Sequence, residues 1–191
     1  TVFAVGQRPT APLDAAIWRS LDSGTTWEHV GASVPYGHLQ AVAVSPDYAA
    51  DGIVLLAHAA RGIIRSDDRG ATWAESSSGM SLLTMAALAA SPAFPADNTI
   101  FALSRPLPYS DRGAIYRTSD AGVSWSAAVP DPADSDFSAV AVSPAFAADR
   151  TVFAATLWSS QFGGGMWRST DGGDSWLPAG NGFGAQGRHT A

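Results

Sequence analysis

The sequence predicts an all-β fold, a β-propeller of four-stranded antiparallel blades, on the basis of two observations. The first is a short phrase, Arg-Ser/Thr-x-Asp-x-Gly-x-Thr/Ser-Trp, that occurs four times at a spacing of roughly 50 residues. The second is a set of short apolar stretches around each copy, bounded by Pro, Gly and Asp, which are typical of strands. A four-stranded meander repeated at this period indicates a propeller blade.

We call the repeated phrase the box, and its copies occupy residues 19–27, 65–73, 117–125 and 168–176. Each box is expected to form the hairpin between the third and fourth strands of a blade. There Asp accepts backbone hydrogen bonds, Gly allows a positive φ, and Trp folds back over the turn. Because catalysis seldom needs four equal acids, we predict structural roles for these positions. They are Asp22, Gly24, Trp27, Asp68, Gly70, Trp73, Asp120, Gly122, Trp125, Asp171, Gly173 and Trp176.

The four strands of a blade are labelled A to D in chain order. In the second copy they are expected around residues 39–45, 53–58, 62–66 and 72–77. Strand A is small and apolar on both faces, which suits the crowded centre, whereas the polar strand D suits the rim. The connections between strands B and C are predicted to be long loops in the other copies, at 6–15, 104–113 and 157–164.

The repeat defines one propeller region over residues 1–191. We expect a partial blade with strands B to D, three full blades and the start of another inner strand; these segments are 1–31, 38–78, 82–129, 136–180 and 181–191. Part of the repeat is missing between the two ends, which favours a window from a longer propeller; a closed four-bladed ring is the alternative. Because the chain begins at Thr1 and not at Met, removal of a leader or of a larger N-terminal portion is also expected.

Composition excludes several classes of function. The net charge is −6, with 17 acids against 11 bases that are all arginine, which argues against nucleic-acid binding. The absence of cysteine excludes disulfides and thiolate chemistry. No apolar run is long enough to span a membrane, so no direct membrane insertion is expected. No phosphate-binding glycine loop occurs and the four histidines lack ligand spacing, so no cofactor is predicted.

The box resembles the Asp-box, also called the bacterial neuraminidase repeat, and the resemblance covers almost the whole chain. Proteins with this repeat include sialidases, xyloglucan-degrading glycoside hydrolases, sortilin-type receptor domains, photosystem assembly propellers and uncharacterised secreted bacterial proteins. The run from Ser143 to Ala154 looks most like the last group. The resemblance implies a propeller fold and an extracellular, cell-surface or periplasmic location. It implies no single function, because one fold serves many functions.

The B-to-C and D-to-A connections share one face of a propeller, which we call the loop face, and the boxes lie on the opposite box face. Ligands usually use the loop face. Aromatic, basic and imidazole side chains that break the repeat there suit a sugar or a polar protein partner. The predicted ligand-binding residues are Arg8, Arg105, Tyr109, Arg112, Trp158, Phe162, Tyr36 and His38. Trp158, in a predicted loop, is expected either to stack on a ring or to plug the central channel.

Catalytic candidates are weak. Sialidases with this repeat use a Tyr/Glu pair, but the two glutamates, Glu28 and Glu75, both follow a box Trp on strand D. A xyloglucanase-like hydrolase needs two spaced carboxylates, for which Asp111 and Asp134 are weak candidates. Such acids beside Pro and Gly are also ordinary turn formers. Asp131, Asp134 and Asp136 could bind Ca²⁺, although they lack the spacing of an EF-hand loop.

We therefore predict a non-enzymatic binding or scaffold module for a protein or glycan partner, acting outside the cytoplasm. Assembly with further blades or with a partner subunit is a further expectation. The alternative is a glycoside hydrolase, xyloglucanase-like before sialidase-like, or a fragment of one.

Overall fold

The computed structural model describes residues 1–8, 14–31, 34, 37–81, 83–105, 113–128, 135–159 and 165–180. Four antiparallel sheets follow one another along the chain, and within each sheet the strands lie in sequence order. The chain is thus an all-β propeller of meander blades, as predicted. Within the described ranges, no helix has the length and apolar character needed to cross a bilayer.

The first blade has three strands and the others have four. Blade one contains β1 (Val2–Arg8), β2 (Asp14–Ser20) and β3 (Glu28–His29). Blade two contains β4 (Leu39–Val44), β5 (Val54–His58), β6 (Gly62–Ser66) and β7 (Ala74–Glu75). Blade three contains β8 (Met85–Ala90), β9 (Ile100–Ser104), β10 (Ala114–Thr118) and β11 (Ser126–Ala127). Blade four contains β12 (Ser135–Val142), β13 (Val152–Ser159), β14 (Gly165–Ser169) and β15 (Leu177–Pro178).

A single helical turn joins strands A and B in blades two to four, where the sequence predicts only a connection. These turns are α1 (Tyr48–Asp51), α2 (Phe94–Asp97) and α3 (Phe146–Asp149). In the first of them, Ser45 Oγ donates to Asp51 Oδ2 at 2.5 Å, and Asp51 Oδ1 accepts the Ile53 N–H at 2.9 Å. The repeated Ser and Asp of this connection therefore hold the helical turn together through a side-chain hydrogen bond.

Strand D is shorter than predicted. In blade two it covers only Ala74–Glu75, whereas the sequence suggested residues 72–77. The backbone N–H of Thr72 donates to Asp68 Oδ1 at 2.8 Å, so this residue belongs to the box turn and cannot join the strand ladder. Side-chain hydrogen bonds of Asp often compete with secondary structure in this way.

The predicted loops at 6–15 and 157–164 are wrong in extent, because the strands continue into them. Arg8 lies on β1 and pairs with Asp14 of β2, while Trp158 lies on β13 and pairs with Asp136 of β12. Trp158 is therefore a strand residue and not a loop residue, and Asp136 likewise lies on a strand. Continued pairing satisfies backbone donors and acceptors that a loop would leave to water.

Burial is greatest on strand B and in the junctions between blades. Every residue of β5 and β9 is buried, whereas most residues of β4 and β8 are only partly buried. The inner strands A of adjacent blades contact each other, β4 with β8 and β8 with β12, but they are less buried than strand B. Three apolar clusters fill the spaces between adjacent blades, each containing side chains from both neighbours. Burial of each large apolar side chain contributes about 1.5–3 kcal/mol, so packing between blades stabilises the array.

Candidate functional site

Each box closes its own hairpin through the Asp side chain. In the second box, Asp68 Oδ1 accepts hydrogen bonds from Ser66 Oγ and from the Thr72 N–H, both at 2.8 Å, and Oδ2 accepts from Thr72 Oγ1. Ser66 Oγ accepts the Gly70 N–H at 2.8 Å. The same carboxylate bonds recur around Asp22, Asp120 and Asp171. All four carboxylates are thus engaged within their own turns.

These hydrogen bonds favour the ionised carboxylate. Bonds from the side chain and backbone of Thr26 lower the pKa of Asp22 from 3.8 to about 2, and bonds from Thr72 lower the pKa of Asp68 to about 2. Bonds from Ser175 lower the pKa of Asp171 for the same reason. A general acid or base works best with a pKa near the operating pH. The box carboxylates are therefore unsuited to proton transfer at neutral pH.

The lowered pKa values predict loss of stability in acid. Because the folded-state pKa of Asp22 and of Asp68 is about 2, below the usual 3.8, their ionised forms stabilise the fold fully above roughly pH 4. That contribution is lost as the pH falls towards about 2. We expect the contribution of these carboxylates to the urea midpoint to be constant between about pH 7 and pH 5 and to fall below about pH 4.

The variant Asp68→Asn should have a lower urea midpoint at neutral pH and a smaller further fall in acid than the wild type. The neighbouring Asp67 is the matched control, because its side chain is 66% exposed and, in the part of the chain that the structure describes, it pairs with Arg65 alone. Asp67→Asn should change the neutral-pH midpoint little. An Asp68→Asn protein with the wild-type midpoint at neutral pH would contradict a structural role for this carboxylate.

The box Trp also bonds to the preceding blade. The indole Nε1 of Trp73 donates to the Val30 carbonyl at 3.1 Å, that of Trp125 to the Ser76 carbonyl at 2.8 Å, and that of Trp176 to the Ala128 carbonyl at 2.6 Å. Each acceptor is the residue directly after strand D of the preceding blade. The box is therefore a contact between blades as well as a turn.

The box Arg makes the reciprocal contact with the following blade. Arg19 Nη1 donates to the Arg69 carbonyl at 2.6 Å, Arg65 Nε to the Ala121 carbonyl at 3.0 Å, and Arg117 Nη1 to the Gly172 carbonyl at 2.7 Å. Each acceptor directly precedes the box Gly and has a positive φ. These arginines also form ion pairs at 2.7–2.9 Å, with Glu28, Asp67 and Asp174 respectively.

The box Gly allows the two blades to approach each other. A Cβ on Gly122 would lie 2.5 Å from Leu55 Cδ2, and one on Gly173 would lie 2.9 Å from Phe101 Cε1. Leu55 and Phe101 occupy the same position on strand B of the preceding blade. The glycine thus serves both the positive φ of the turn and the packing against its neighbour.

Two predicted ligand-binding side chains, His38 and Arg105, are exposed on the loop face. They lie on the adjacent blades two and three. The backbone holds both residues in place, because the His38 carbonyl accepts the Ala59 N–H at 2.9 Å and the Arg105 N–H donates to the Thr84 carbonyl at 2.9 Å. His58 is buried, and its Nδ1 accepts the Ala60 N–H at 3.1 Å, which closes the short B-to-C turn of blade two.

A pocket of about 590 Å³ opens between blades one and two on the box face, away from the ligand-binding residues that the sequence predicts. It is lined by Thr1, Arg19, Leu21, Val44, Ser45, Pro46, Tyr48, Ala49 and Arg69. Its two guanidinium groups are already engaged, since Arg19 pairs with Glu28 at 2.7 Å and Arg69 Nη2 donates to the Ala49 carbonyl at 2.9 Å. The charge of Arg19 is therefore paired with a carboxylate, whereas Arg69 is held by a neutral carbonyl.

Several candidates from the sequence lie outside the described residues. They are Tyr36, Tyr109, Asp111, Arg112, Asp131, Asp134 and Phe162. The side chains of Arg8, Asp136 and Trp158 are also outside the description, although their backbone lies on strands. Among the described residues, no group of three or more acidic or histidine side chains could hold a metal ion.

No known family model matches the chain, and no curated protein sequence matches it. Solved structures do match over most of its length. The chain is similar to the GH74 xyloglucanase from Xanthomonas campestris, with 22% identity and a TM-score of 0.68 over 92% of this chain and 27% of the enzyme. It is similar to the GH74 enzyme from Niastella koreensis, with 19% identity and a TM-score of 0.68 over 94% of this chain and 28% of the enzyme.

Two further similar structures extend the comparison. TolB from Acinetobacter baumannii has 14% identity and a TM-score of 0.57, over 93% of this chain and 40% of that protein. YCF48 bound to D1 peptide has 13% identity and a TM-score of 0.51, over 91% of this chain and 49% of that protein. These likenesses place the chain among β-propellers. It spans only about a quarter of the length of the two GH74 structures.

Proposed function

We propose that the chain is a non-enzymatic propeller module that binds a protein or glycan partner at its loop face. The observation that carries the proposal is the engagement of all four repeated carboxylates inside their own hairpins, on the opposite face. Because the pKa values of Asp22 and Asp68 are about 2, these carboxylates suit a structural role in the hairpin better than proton transfer at neutral pH. Binding of a partner is then expected to depend on the loops that differ between the four copies of the repeat.

The loop face has suitable chemistry for such a partner. Arg105 and His38 are exposed on adjacent blades, and the planar guanidinium group binds carboxylates and stacks on rings. We propose that Arg8, Tyr36, Tyr109, Arg112, Trp158 and Phe162 extend this surface. The structure of YCF48 bound to D1 peptide is compatible with a protein partner on such a fold. We place the protein outside the cytoplasm, as the resemblance of its repeat implies.

The proposal predicts a ligand that depends on loop-face side chains. A labelled chain should bind members of a glycan or peptide array, and Arg105→Ala and His38→Ala should each weaken the strongest interaction about tenfold. Arg69→Ala is the control, because it removes an exposed arginine from the box face. Equal binding by all three variants, or no ligand on either array, would reject the loop face as the binding surface.

A glycoside hydrolase is the second candidate, favoured by the TM-score of 0.68 to each of two GH74 enzymes. Asp111 and Asp134 are its proposed carboxylates. Release of reducing ends from xyloglucan should then disappear in Asp111→Asn and Asp134→Asn, and persist in the box variant Asp68→Asn. An inactive chain that remains inactive as part of any longer parent protein would eliminate this candidate.

A further inference from the structure

The described charged side chains are distributed unevenly between the two faces of the propeller. Every described aspartate side chain lies in a box or in an A-to-B connection, on the box face, as Asp68 and Asp97 do. The described loop face of blades two and three instead carries three exposed basic side chains, His38, Arg61 and Arg105. The chain has a net charge of −6, so a surface with basic side chains and no described aspartate departs from its overall composition.

The sequence of the loop-face connections shows the same distribution. Both connections of blade two and the connection that leads into blade three contain no Asp or Glu; they are residues 30–38, 58–62 and 76–84. The B-to-C connection of blade three contains one acid, Asp111, and two arginines, Arg105 and Arg112. This side of the loop face is therefore basic in sequence as well as in the described structure.

Hydrogen bonds join these connections into one surface. The Gly62 N–H donates to the Leu83 carbonyl at 2.9 Å, and the Arg105 N–H donates to the Thr84 carbonyl at 2.9 Å. Thr84 Oγ1 donates in turn to the Arg105 carbonyl at 2.6 Å. Leu83 and Thr84 thus connect the turn that carries Arg61 to the strand end that carries Arg105.

Leu83 is the exposed apolar residue of this surface, with 39% of its area exposed. Its segment is fixed from below, because the Ser81 N–H donates to the hydroxyl of the buried Tyr116 at 3.2 Å. A Cβ on Gly62 would lie 2.9 Å from Leu83 Cδ2, so the glycine permits the leucine to pack closely on the turn. We call the following residues the basic patch: His38, Arg61, Leu83 and Arg105.

Both guanidinium groups of the basic patch are accessible to an incoming carboxylate. Arg61 Nη1 pairs with Glu75 Oε1 at 2.9 Å, but the two side chains are 51% and 55% exposed. Such exposed ion pairs add little stability, so a carboxylate of a partner can replace Glu75. Arg105 is exposed, and its backbone is fixed by its two bonds to Thr84. A guanidinium group binds a carboxylate through two parallel hydrogen bonds.

We propose that the basic patch binds an acidic peptide segment in which carboxylates flank an apolar side chain. Such a partner is one case of the proposed function and rests on it. The carboxylates pair with Arg61 and Arg105, and the apolar side chain packs on Leu83. A peptide fits better than an acidic glycan, because the patch offers apolar surface at Leu83 and contains no Phe, Tyr or Trp on which a sugar ring would stack.

Fluorescence anisotropy with a labelled synthetic peptide tests this proposal. The probe is a nonapeptide of glutamate with one central leucine, titrated with the full 191-residue chain. Arg61→Gln and Arg105→Gln should each weaken binding about tenfold, and Leu83→Ser about threefold. Glu75→Gln should strengthen binding about threefold, because it removes the carboxylate that competes for Arg61. Arg69→Gln is the matched control, since it removes an exposed arginine from the box face, and it should leave the dissociation constant unchanged.

Comparison probes identify the chemistry that is recognised. The same peptide with glutamine in place of glutamate should not bind, and the peptide with serine in place of leucine should bind about threefold more weakly. Oligogalacturonate, which carries its carboxylates on sugar rings, should bind more weakly than the peptide. Raising the NaCl concentration from about 50 mM to about 500 mM should weaken binding of the glutamate peptide about tenfold, because salt screens exposed charges.

Three results would overturn the assignment of an acidic peptide. They are no binding of the glutamate peptide, equal binding by the Arg105→Gln and Arg69→Gln variants, and tighter binding of oligogalacturonate than of the peptide. The proposed function would stand in the first and third cases if another ligand from the glycan and peptide arrays lost affinity in Arg105→Ala. It would fail as well if no array ligand depended on the loop face. Unchanged urea midpoints would show that the variants fold.

Discussion

Replacement of Trp125 by alanine is expected to lower the free energy of unfolding by about 4 kcal/mol. The side chain is 5% exposed and packs in the apolar cluster between blades two and three. Its indole Nε1 also donates to the Ser76 carbonyl at 2.8 Å, so the variant leaves a cavity and an unpaired acceptor at the same junction. Urea unfolding followed by circular dichroism measures the loss.

The same substitution at Trp27 is the matched control. Trp27 occupies the equivalent box position but is 43% exposed, so Trp27→Ala should cost less than about 1 kcal/mol. Similar losses for the two variants would mean that the contact between blades contributes little and that the turn itself requires the Trp.

Gly79→Ala is expected to cost about 3 kcal/mol, the second largest effect. Gly79 has a φ of +88°, and a Cβ at this position would lie 2.0 Å from the carbonyl oxygen of Trp125. Because that oxygen belongs to the backbone, it cannot rotate away as a side chain would. The segment is also bonded across the junction, with the Trp125 N–H donating to the Ser78 carbonyl at 2.9 Å. Blades two and three must therefore separate or the turn must distort.

Gly165→Ala controls for the general effect of a glycine substitution. Among the described residues, no atom lies within 4 Å of a Cβ placed on Gly165, and the φ of Gly165 lies outside the positive region. The free energy of unfolding of Gly165→Ala should differ from that of the wild type by less than about 0.5 kcal/mol. If Gly79→Ala were equally mild, the close approach of the two blades at Trp125 would not be a determinant of stability.

Strands A to C of blade two were predicted to within one residue, because each is a short apolar run bounded by turn residues. Strand D and the helical turns were not. In these segments, side chains accept the backbone hydrogen bonds: Asp68 accepts from the Thr72 N–H, and Ser45 accepts from the Asp47 N–H. Residue propensity alone predicts a strand or a loop there. Periodicity detects apolar faces, but it does not detect this competition.

The sequence predicts which face of the propeller carries the candidate site, but not the local structure of each residue in it. A loop location was expected for Trp158, but β13 continues through it because β12 extends alongside and supplies pairing partners. The length of such a hairpin depends on both strands together. His38 and Arg105 are exposed where the repeat predicts the loop face, since their positions follow from strand order alone.

The sequence by itself determined the blade, because the bonds that close each box join residues no more than four apart, such as Asp68 and Thr72. Only the tertiary structure decided how blades join. Trp73 reaches a carbonyl 43 residues earlier and Arg65 one 56 residues later. Those acceptors are backbone carbonyls, which every residue has, so no side chain marks them in the sequence. The repeated Arg and Trp are visible in the sequence, but the interface that they form exists only when two blades pack against each other.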